Sequence, residues 1–162
     1  MARGPENDEG EIEWIEAAFM HKKGDFYYLF VNWFGCCNGI DSTYEIHMGR
    51  SDVRTGPYVD KNGIQIKCKI DYRKKYIKNS LFVGVDMTLG GGSLLLQKNG
   101  RFIGPGHAAV FSEGGRDWFS YHFYDGDRDG LPWIEVRQMK WEDGWPKVTE
   151  ERFNATAYFE QL

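Results

Sequence analysis

The chain has 162 residues, with 20 basic and 24 acidic side chains that give a formal net charge of −4 at pH 7. This length normally means one domain or two small ones. The nearly balanced charge argues against a dedicated nucleic-acid binder, and no apolar run approaches the roughly 18 residues of a membrane span. The three cysteines are too few for a disulfide-dense scaffold and lack the spacing of a zinc site.

The amino-terminal segment does not look like a targeting signal. Residues 1–13 are polar and acidic, and they lack the basic start and the apolar stretch of a secretory leader. We therefore expect either a chain that stays inside the cell or one whose true start has been cut away. A strand pattern begins almost at once, which slightly favours the second alternative.

Short strands bounded by glycine, asparagine and aspartate follow one another along the chain, and helical periodicity is almost absent. The clearest strand patterns fall at 26–31, 44–48, 93–97, 108–111, 117–124 and 133–141. Strands this short with turn residues between them predict an all-β protein, either a sandwich, a barrel or a propeller.

An internal repeat favours the propeller. Residues 16–34 (EAAFMHKKGDFYYLFVNWF) and 107–125 (HAAVFSEGGRDWFSYHFYD) share a polar residue, two alanines, an apolar pair, a glycine turn and an aromatic strand. An amphipathic strand follows each, at 44–50 and 133–139. Small-residue, aromatic and amphipathic strands in this order are typical of a propeller blade. Since two blades cannot close a ring, the sequence predicts part of a propeller.

The same repeat aligns Glu16 with His107 at the start of the innermost strands. The apolar residues around Glu16 are expected to desolvate it partly, which disfavours the ionised form of a carboxyl and suits it to act as a general acid. A glutamate at a solvated strand end and a structural histidine are the alternatives for the two positions.

Eight segments resemble one family of carbohydrate-active enzymes. They read WIEAAFM, GDFYYLFV, CCNGIDSTYEIHMGRS, TGPYVDKNG, VDMTLGGGSLLL, GRFIGPGHAAVF, YHFYD and WEDGWPKV, in that order between about Ile15 and Val148. The chain resembles glycoside hydrolase family 43, and within it the arabinan endo-1,5-α-L-arabinosidase type.

The resemblance implies a five-bladed β-propeller of which this chain holds about the last two blades. The first would span about 12–99 and carry an insert at 64–84, the second would span about 101–148, and 149–162 would form a tail. Open blade edges would then allow self-association.

The resemblance also implies a glycosidase that acts on arabinan or arabinoxylan-type polysaccharide with inversion. Glu16 would be the general acid. The general base, an Asp of the family's first blade, would lie upstream of Met1, so the chain alone is expected to be inactive. The alternatives are a catalytically inactive carbohydrate-binding fragment and a propeller that binds only protein partners.

The family's other site positions fall on five residues. Phe34, Cys36 and Cys37 would border the sugar pocket, with the two cysteines either as a vicinal disulfide or as free thiols. Arg137 would lie near the acid. His107 would face the central channel and help to hold a calcium ion, largely through water; no organic cofactor is implied.

The expected partner is plant cell-wall polysaccharide or an arabino-oligosaccharide, with no nucleic acid and no membrane. The family resemblance suggests an extracellular or periplasmic location, although the sequence itself leaves the location open.

The insert at 64–84 is rich in basic residues, namely Lys67, Lys69, Arg73, Lys74, Lys75 and Lys78 against Asp71. It is interpreted as a basic patch for an anionic polymer, as a solvated hairpin or loop, or as a retained intron.

The run Asp125-Gly-Asp127-Arg-Asp129-Gly130 resembles the start of a calcium-binding EF-hand loop. The twelfth position of that loop should be Glu but is Val136, and aromatic strands flank the run. A hairpin loop between two strands is therefore predicted.

Overall fold

The computed structural model describes residues 15–66, 69–71, 86–88 and 91–159. The strands are β1 (Ile15–Lys23), β2 (Phe26–Trp33), β3 (Glu45–Ser51), β4 (Lys69–Asp71), β5 (Asp86–Thr88), β6 (Ser93–Leu96), β7 (Phe102–Glu113), β8 (Arg116–Asp125), β9 (Leu131–Glu142) and β10 (Trp145–Arg152). One short helix, α1 (Ala155–Phe159), follows them. None of the helices in the described ranges is long and apolar enough to cross a membrane.

The strands form two four-stranded antiparallel sheets and a separate strand pair. The first sheet has the order β1-β2-β3-β6, the second has the order β10-β9-β8-β7, and β4 pairs with β5. The all-β prediction is confirmed. The second sheet extends further than predicted, because β10 continues to Arg152 and so includes the start of the expected tail.

Aromatic and aliphatic side chains of the two sheets form the core between them. Phe30 of β2 and Phe119 of β8 are both 0% exposed, and their rings meet edge to face with centroids 5.7 Å apart. Tyr28, Ile46, Met48, Ala108, Val110, Tyr121, Phe123 and Met139 surround this pair. The face that each sheet buries therefore lies against the other sheet, which fixes how β1 and β7 approach each other.

A buried carboxylate joins the two sheets near the turns of the β1–β2 and β7–β8 hairpins. Asp117 of β8 forms an ion pair with Lys23 of β1 and accepts hydrogen bonds from Ser112 Oγ and Trp141 Nε1, each at 2.6 Å. Burial is the largest influence on the pKa of Asp117 and raises it, but the hydrogen bonds from Lys23, Ser112 and Trp141 and the charge of Lys23 outweigh burial. The pKa of Asp117 consequently lies below its ordinary value.

The strand register corrects the predicted alignment of the repeat by one residue. Lys23 pairs with Phe26 across the turn of the first hairpin, as Glu113 pairs with Arg116 across the second. Counting back from these turns makes Ala17, not Glu16, the equivalent of His107. The sequence alignment matched the pair Ala17-Ala18 with the pair Ala108-Ala109. This alignment is wrong by one residue, because the two pairs occupy different positions relative to the hairpin turns.

Most of the predicted insert lies outside the described residues, and so do the side chains of all six of its basic residues. The start of the insert, Ile64–Ile66, packs against the first sheet, since Ile66 is 3% exposed and contacts Gly49 of β3. The main-chain oxygen of Gln65 accepts a 2.6 Å hydrogen bond from Gly91 N. Residues 66 and 91 therefore both belong to this part of the fold, and the basic patch stays a prediction.

Candidate functional site

An irregularity in β1 sets the position of Glu16. The pairing moves from Glu16 with Asn32 to Phe19 with Phe30, so one extra residue is accommodated on β1. Ala17, inside this bulge, has φ of 51°, a left-handed conformation that is uncommon for a residue with a side chain. Glu16 is exposed, so the predicted partial burial of its side chain is not observed.

A buried tyrosine holds the Glu16 carboxyl group. The Tyr44 hydroxyl donates a 2.6 Å hydrogen bond to Glu16 Oε1, and Tyr44 is 1% exposed. Burial, followed by the hydrogen bond to Glu16, raises the pKa of Tyr44 well above its ordinary value. Tyr44 therefore remains protonated and keeps donating throughout the neutral range.

The Tyr44 ring fits against a glycine of β7 and a histidine of β8. A Cβ atom at Gly106 would lie 2.4 Å from Tyr44 Cδ1 and 2.7 Å from His122 Cε1. The rings of Tyr44 and His122 stack with centroids 6.0 Å apart. Any side chain at position 106 would displace both rings, so this close approach requires glycine.

His107 lies in a second bulge, on β7, beside the same histidine. It is exposed and has φ of 52°, and its ring lies 5.5 Å from that of His122. Burial, followed by the charge of His107, lowers the pKa of His122. His122 Nε2 finds no hydrogen-bond partner among the described residues.

A fully buried asparagine fastens the β7 bulge to the first sheet. Asn32 is 0% exposed, and its Oδ1 accepts a 3.0 Å hydrogen bond from His107 N. Its Nδ2 donates to the carbonyl oxygens of Glu45 at 3.0 Å and Pro105 at 3.1 Å. All of the amide's main hydrogen-bonding groups are used, so Asn32 fixes the backbone that carries His107.

The loop after β2 reaches the same cluster. Cys36 and Cys37 form a disulfide. Of the two alternatives that the sequence left open, a vicinal disulfide or two free thiols, the structure has the first. Phe34 and Cys37 have φ of 69° and 71°, and Cys37 N donates a 3.0 Å hydrogen bond to the hydroxyl of Tyr124. The Tyr124 ring lies 5.6 Å from His122, and the Phe34 ring lies 6.4 Å from Trp33.

The fold thus connects Glu16, His107 and the disulfide through Tyr44, His122 and Tyr124, but it places Arg137 elsewhere. Arg137 is 7% exposed on β9, where Nη1 bonds Glu150 at 2.9 Å and the guanidinium lies 4.6 Å from the Phe102 ring centre. Among the described residues, no hydrogen bond or ion pair joins it to Glu16. That Arg137 lies near the acid stays a prediction, since its partners among the described residues are Glu150, Glu135 and the Phe102 ring.

Comparison with known proteins decides the family. The sequence model described as Glycosyl hydrolases family 43 matches residues 4–146. The chain belongs to this family.

Two relatives and one solved structure illustrate the similarity. An extracellular exo-α-(1→5)-L-arabinofuranosidase of Cellvibrio japonicus is 37% identical over 87% of this chain and 35% of its own length. An extracellular endo-α-(1→5)-L-arabinanase of Bacillus subtilis is 31% identical over 82% of this chain and 33% of its own length. The α-L-arabinanase of Cellvibrio cellulosa, solved with arabinohexaose, gives a TM-score of 0.69 at 36% identity, covering 87% of this chain and 38% of that one. The chain therefore spans about a third of the length of the two relatives.

The described residues alone would not complete the coordination of the calcium ion that the family resemblance implies, so most of its ligands would have to be water. Calcium takes roughly six to eight oxygen ligands. The described residues contain no group of three or more His, Cys, Asp or Glu that could hold a metal ion, and the imidazole of His122 lies 5.5 Å from that of His107.

The residues around Glu16 and His107, with Asn32, Tyr44, His122 and Tyr124, are called the cluster below. Asp125, the residue after Tyr124, is a fully buried carboxylate whose oxygens already have partners. It is 0% exposed, accepts from Asp127 N at 3.0 Å and lies 3.1 Å from Arg101 Nη2. It begins the turn between β8 and β9, which confirms the predicted hairpin loop. Because it is buried and ion-paired, Asp125 is unsuited to activate a water molecule.

Sequence reasoning missed four residues of the cluster, namely Asn32, Tyr44, His122 and Tyr124. Asn32 was visible as the one amide within the aromatic run FYYLFVNWF. His122 and Tyr124 belong to the quoted motif YHFYD, and Tyr44 to STYEIHMGRS, but neither motif says which side chain faces the acid. That depends on the two bulges, which periodicity does not reveal.

Proposed function

We propose that this chain is part of a glycoside hydrolase that acts on arabinan or arabinoxylan-type polysaccharide with inversion, with Glu16 as its general acid. The observation that carries the proposal is an exposed carboxyl group at a strand bulge, held at 2.6 Å by the hydroxyl of a buried tyrosine. The relatives, named as an exo-arabinofuranosidase and an endo-arabinanase, support the substrate class.

In this role, Glu16 protonates the glycosidic oxygen as the bond to the sugar breaks. Inversion also needs a carboxylate base about 6.5–9.5 Å from the acid, with room for the attacking water between them. Asp125 is excluded by its ion pair with Arg101, and we assign the base to a residue outside the described ones. The described part of the chain is then not sufficient for hydrolysis.

The loop that carries Phe34, Cys36 and Cys37 forms one border of the sugar pocket in this proposal. The disulfide between neighbouring residues removes freedom from the loop, and the hydrogen bond from Cys37 N to Tyr124 ties it to β8. A sugar bound near Glu16 would therefore meet a border that is already ordered.

Three further features belong to the proposal. The two sheets are two blades of a five-bladed propeller; calcium, held mainly by water, lies near His107; and the protein acts outside the cell. Both relatives are named as extracellular, which supports the last point.

A second candidate is a catalytically inactive carbohydrate-binding fragment. It is favoured by the state of Asp125, which leaves the cluster without a free buried carboxylate to act as base. This candidate predicts that the chain binds arabino-oligosaccharide without hydrolysing it, even when it is joined to the remaining part of a related enzyme.

A chimera separates the two candidates. Residues 15–152 replace the segment that they match in the Cellvibrio japonicus relative, and hydrolysis of arabinan is followed by proton NMR, which also reports the anomer formed first. We expect hydrolysis with inversion, its loss in Glu16→Gln, and its retention in Glu142→Gln, an exposed carboxylate paired with Lys147. Binding without hydrolysis in the unsubstituted chimera would favour the inactive fragment.

A further inference from the structure

The hydrogen bond between Tyr44 and Glu16 joins one fixed side chain to one free side chain. Tyr44 is 1% exposed, whereas Glu16 is exposed. The donor–acceptor distance is 2.6 Å, and the acceptor is Oε1 of the glutamate. Because the tyrosine cannot move without disturbing the core, the bond restrains the carboxyl group rather than the hydroxyl group.

The surroundings leave the Tyr44 ring no alternative position. Gly106 lies so close that an added Cβ would overlap Cδ1 and Cε1 of the ring, at 2.4 Å and 2.5 Å. His122 stacks on the ring, and its Cε1 would in turn lie 2.7 Å from the same added atom. Strands β7 and β8 thus fix the point in space at which the hydroxyl donates.

The direction of this bond determines where a proton on Glu16 can reside. A phenol has one hydrogen to donate, and burial keeps the pKa of Tyr44 far above neutral, so the hydroxyl stays a donor. A protonated carboxyl group carries one O–H and one carbonyl oxygen. The oxygen that faces a permanent donor is most stable as the acceptor, which leaves the other oxygen to carry the hydrogen.

We propose that Tyr44 is a positioning residue that holds Oε1 of Glu16 as an acceptor and thereby makes Oε2 the oxygen that carries the transferable proton. The inference rests on the proposed function for its meaning in catalysis, although the location of the proton can be measured without any turnover. Tyr44 acts through Glu16 and does not itself touch the sugar.

The test follows the Tyr44 hydroxyl proton by NMR in the full 162-residue chain. Tyrosine labelled with ¹³C at Cζ separates the hydroxyl signals, and Tyr44→Phe assigns the one from Tyr44. Tyr28 provides an internal control, since it is also 1% exposed and its hydroxyl donates at 2.6 Å, but to the carbonyl oxygen of Gly144.

As the pH falls and Glu16 becomes protonated, the Tyr44 hydroxyl signal should persist and move toward its position in Glu16→Gln, where the acceptor is a neutral carbonyl. The Tyr28 signal should stay unchanged, which shows that the chain remains folded. His107 and His122 are both retained in Glu16→Gln, so a comparison of the two spectra at one pH removes their influence on the Tyr44 signal.

Loss of the Tyr44 signal on acidification, with that of Tyr28 intact, would place the proton on Oε1 and overturn the proposal. A Tyr44 signal that does not respond to Glu16→Gln would overturn it as well. If the signals behave as expected while the chimera fails to hydrolyse arabinan, the proposed function is wrong and the assignment of the proton to Oε2 stands.

Discussion

The main-chain N–H of His107 donates a 3.0 Å hydrogen bond to Oδ1 of Asn32, a side chain that belongs to the other sheet. The same amide donates to the carbonyl oxygens of Glu45 and Pro105. One fully buried side chain therefore fixes the left-handed turn of β7 that carries His107 and, through Gly106, the wall against which Tyr44 packs.

Replacing Asn32 with alanine should lower the free energy of unfolding by about 2–4 kcal/mol, because it leaves one buried N–H and two carbonyl oxygens without their partner. Urea denaturation of the full chain measures the effect. Asn38→Ala is the matched control: Asn38 is exposed, makes no side-chain cap hydrogen bond, and should change stability by less than about 0.5 kcal/mol. Equal costs for the two variants would contradict the account of Asn32.

Asp117 should make stability depend on pH in the acid range. Its pKa in the folded chain is lower than the ordinary 3.8, so the folded state releases this proton more readily than the unfolded state does. The stabilisation is therefore complete above pH 3.8 and disappears as the pH falls through the lower, folded value. The difference in unfolding free energy between the unsubstituted chain and Asp117→Asn should shrink over that interval.

The control for Asp117 is Asp143→Asn, at an exposed position with φ of 51° that asparagine tolerates. Its difference from the unsubstituted chain should be small at every pH. A stability difference for Asp117→Asn that grows on acidification would show that the ion pair with Lys23 and the hydrogen bonds from Ser112 and Trp141 do not favour the carboxylate.

The sequence predicted the strands well because their alternation and turn residues are local properties. Four of the six strand patterns fall within β2, β7, β8 and β9, the pattern at 93–97 ends one residue after β6, and the pattern at 44–48 begins one residue before β3. It did not predict β10, whose run WPKVTEER is mostly polar and lies at a sheet edge. Edge strands bury little, so they carry a weak pattern.

The site was predicted only where a motif identifies a residue. Glu16 and His107 were found, but their alignment was one residue out, because the left-handed backbone at Ala17 and His107 occurs at residues that are not glycine and is therefore not visible in the sequence. The role of Asn32 required knowledge of what lies across the sheet interface. The contacts of Arg137 were not predictable for the same reason: its partners Glu150 and Phe102 come from other strands.

Tyr44→Phe in the chimera should reduce kcat on arabinan by about 10- to 100-fold with little change in KM, since the acid is still present but no longer held. Tyr28→Phe removes an equally buried hydroxyl that donates to Gly144 and should leave kcat nearly unchanged. Steady-state kinetics on both variants gives the comparison. Parallel losses of kcat would mean that Tyr44 contributes only to packing.

The chain by itself should self-associate. Ile134, Leu131 and Trp133 at the start of β9 are 76%, 57% and 44% exposed, and neighbouring apolar side chains of this size are rarely left in water. Light scattering of the purified chain tests this, and Ile134→Lys should shift the population toward monomer. Val53→Lys, at an isolated loop residue that is 51% exposed, should not. A monodisperse monomer at high concentration would refute the prediction.

The central claim is that Glu16 is the general acid. It is tested most directly by measuring how far the loss of hydrolysis rate in Glu16→Gln depends on the leaving group. In the chimera, Glu16→Gln should slow hydrolysis of unactivated arabinan by about 10²- to 10⁴-fold, because the departing sugar oxygen needs a proton. An aryl arabinofuranoside with a very good leaving group needs little protonation and should lose less than about 10-fold. Equal losses on the two substrates would contradict the acid role of Glu16.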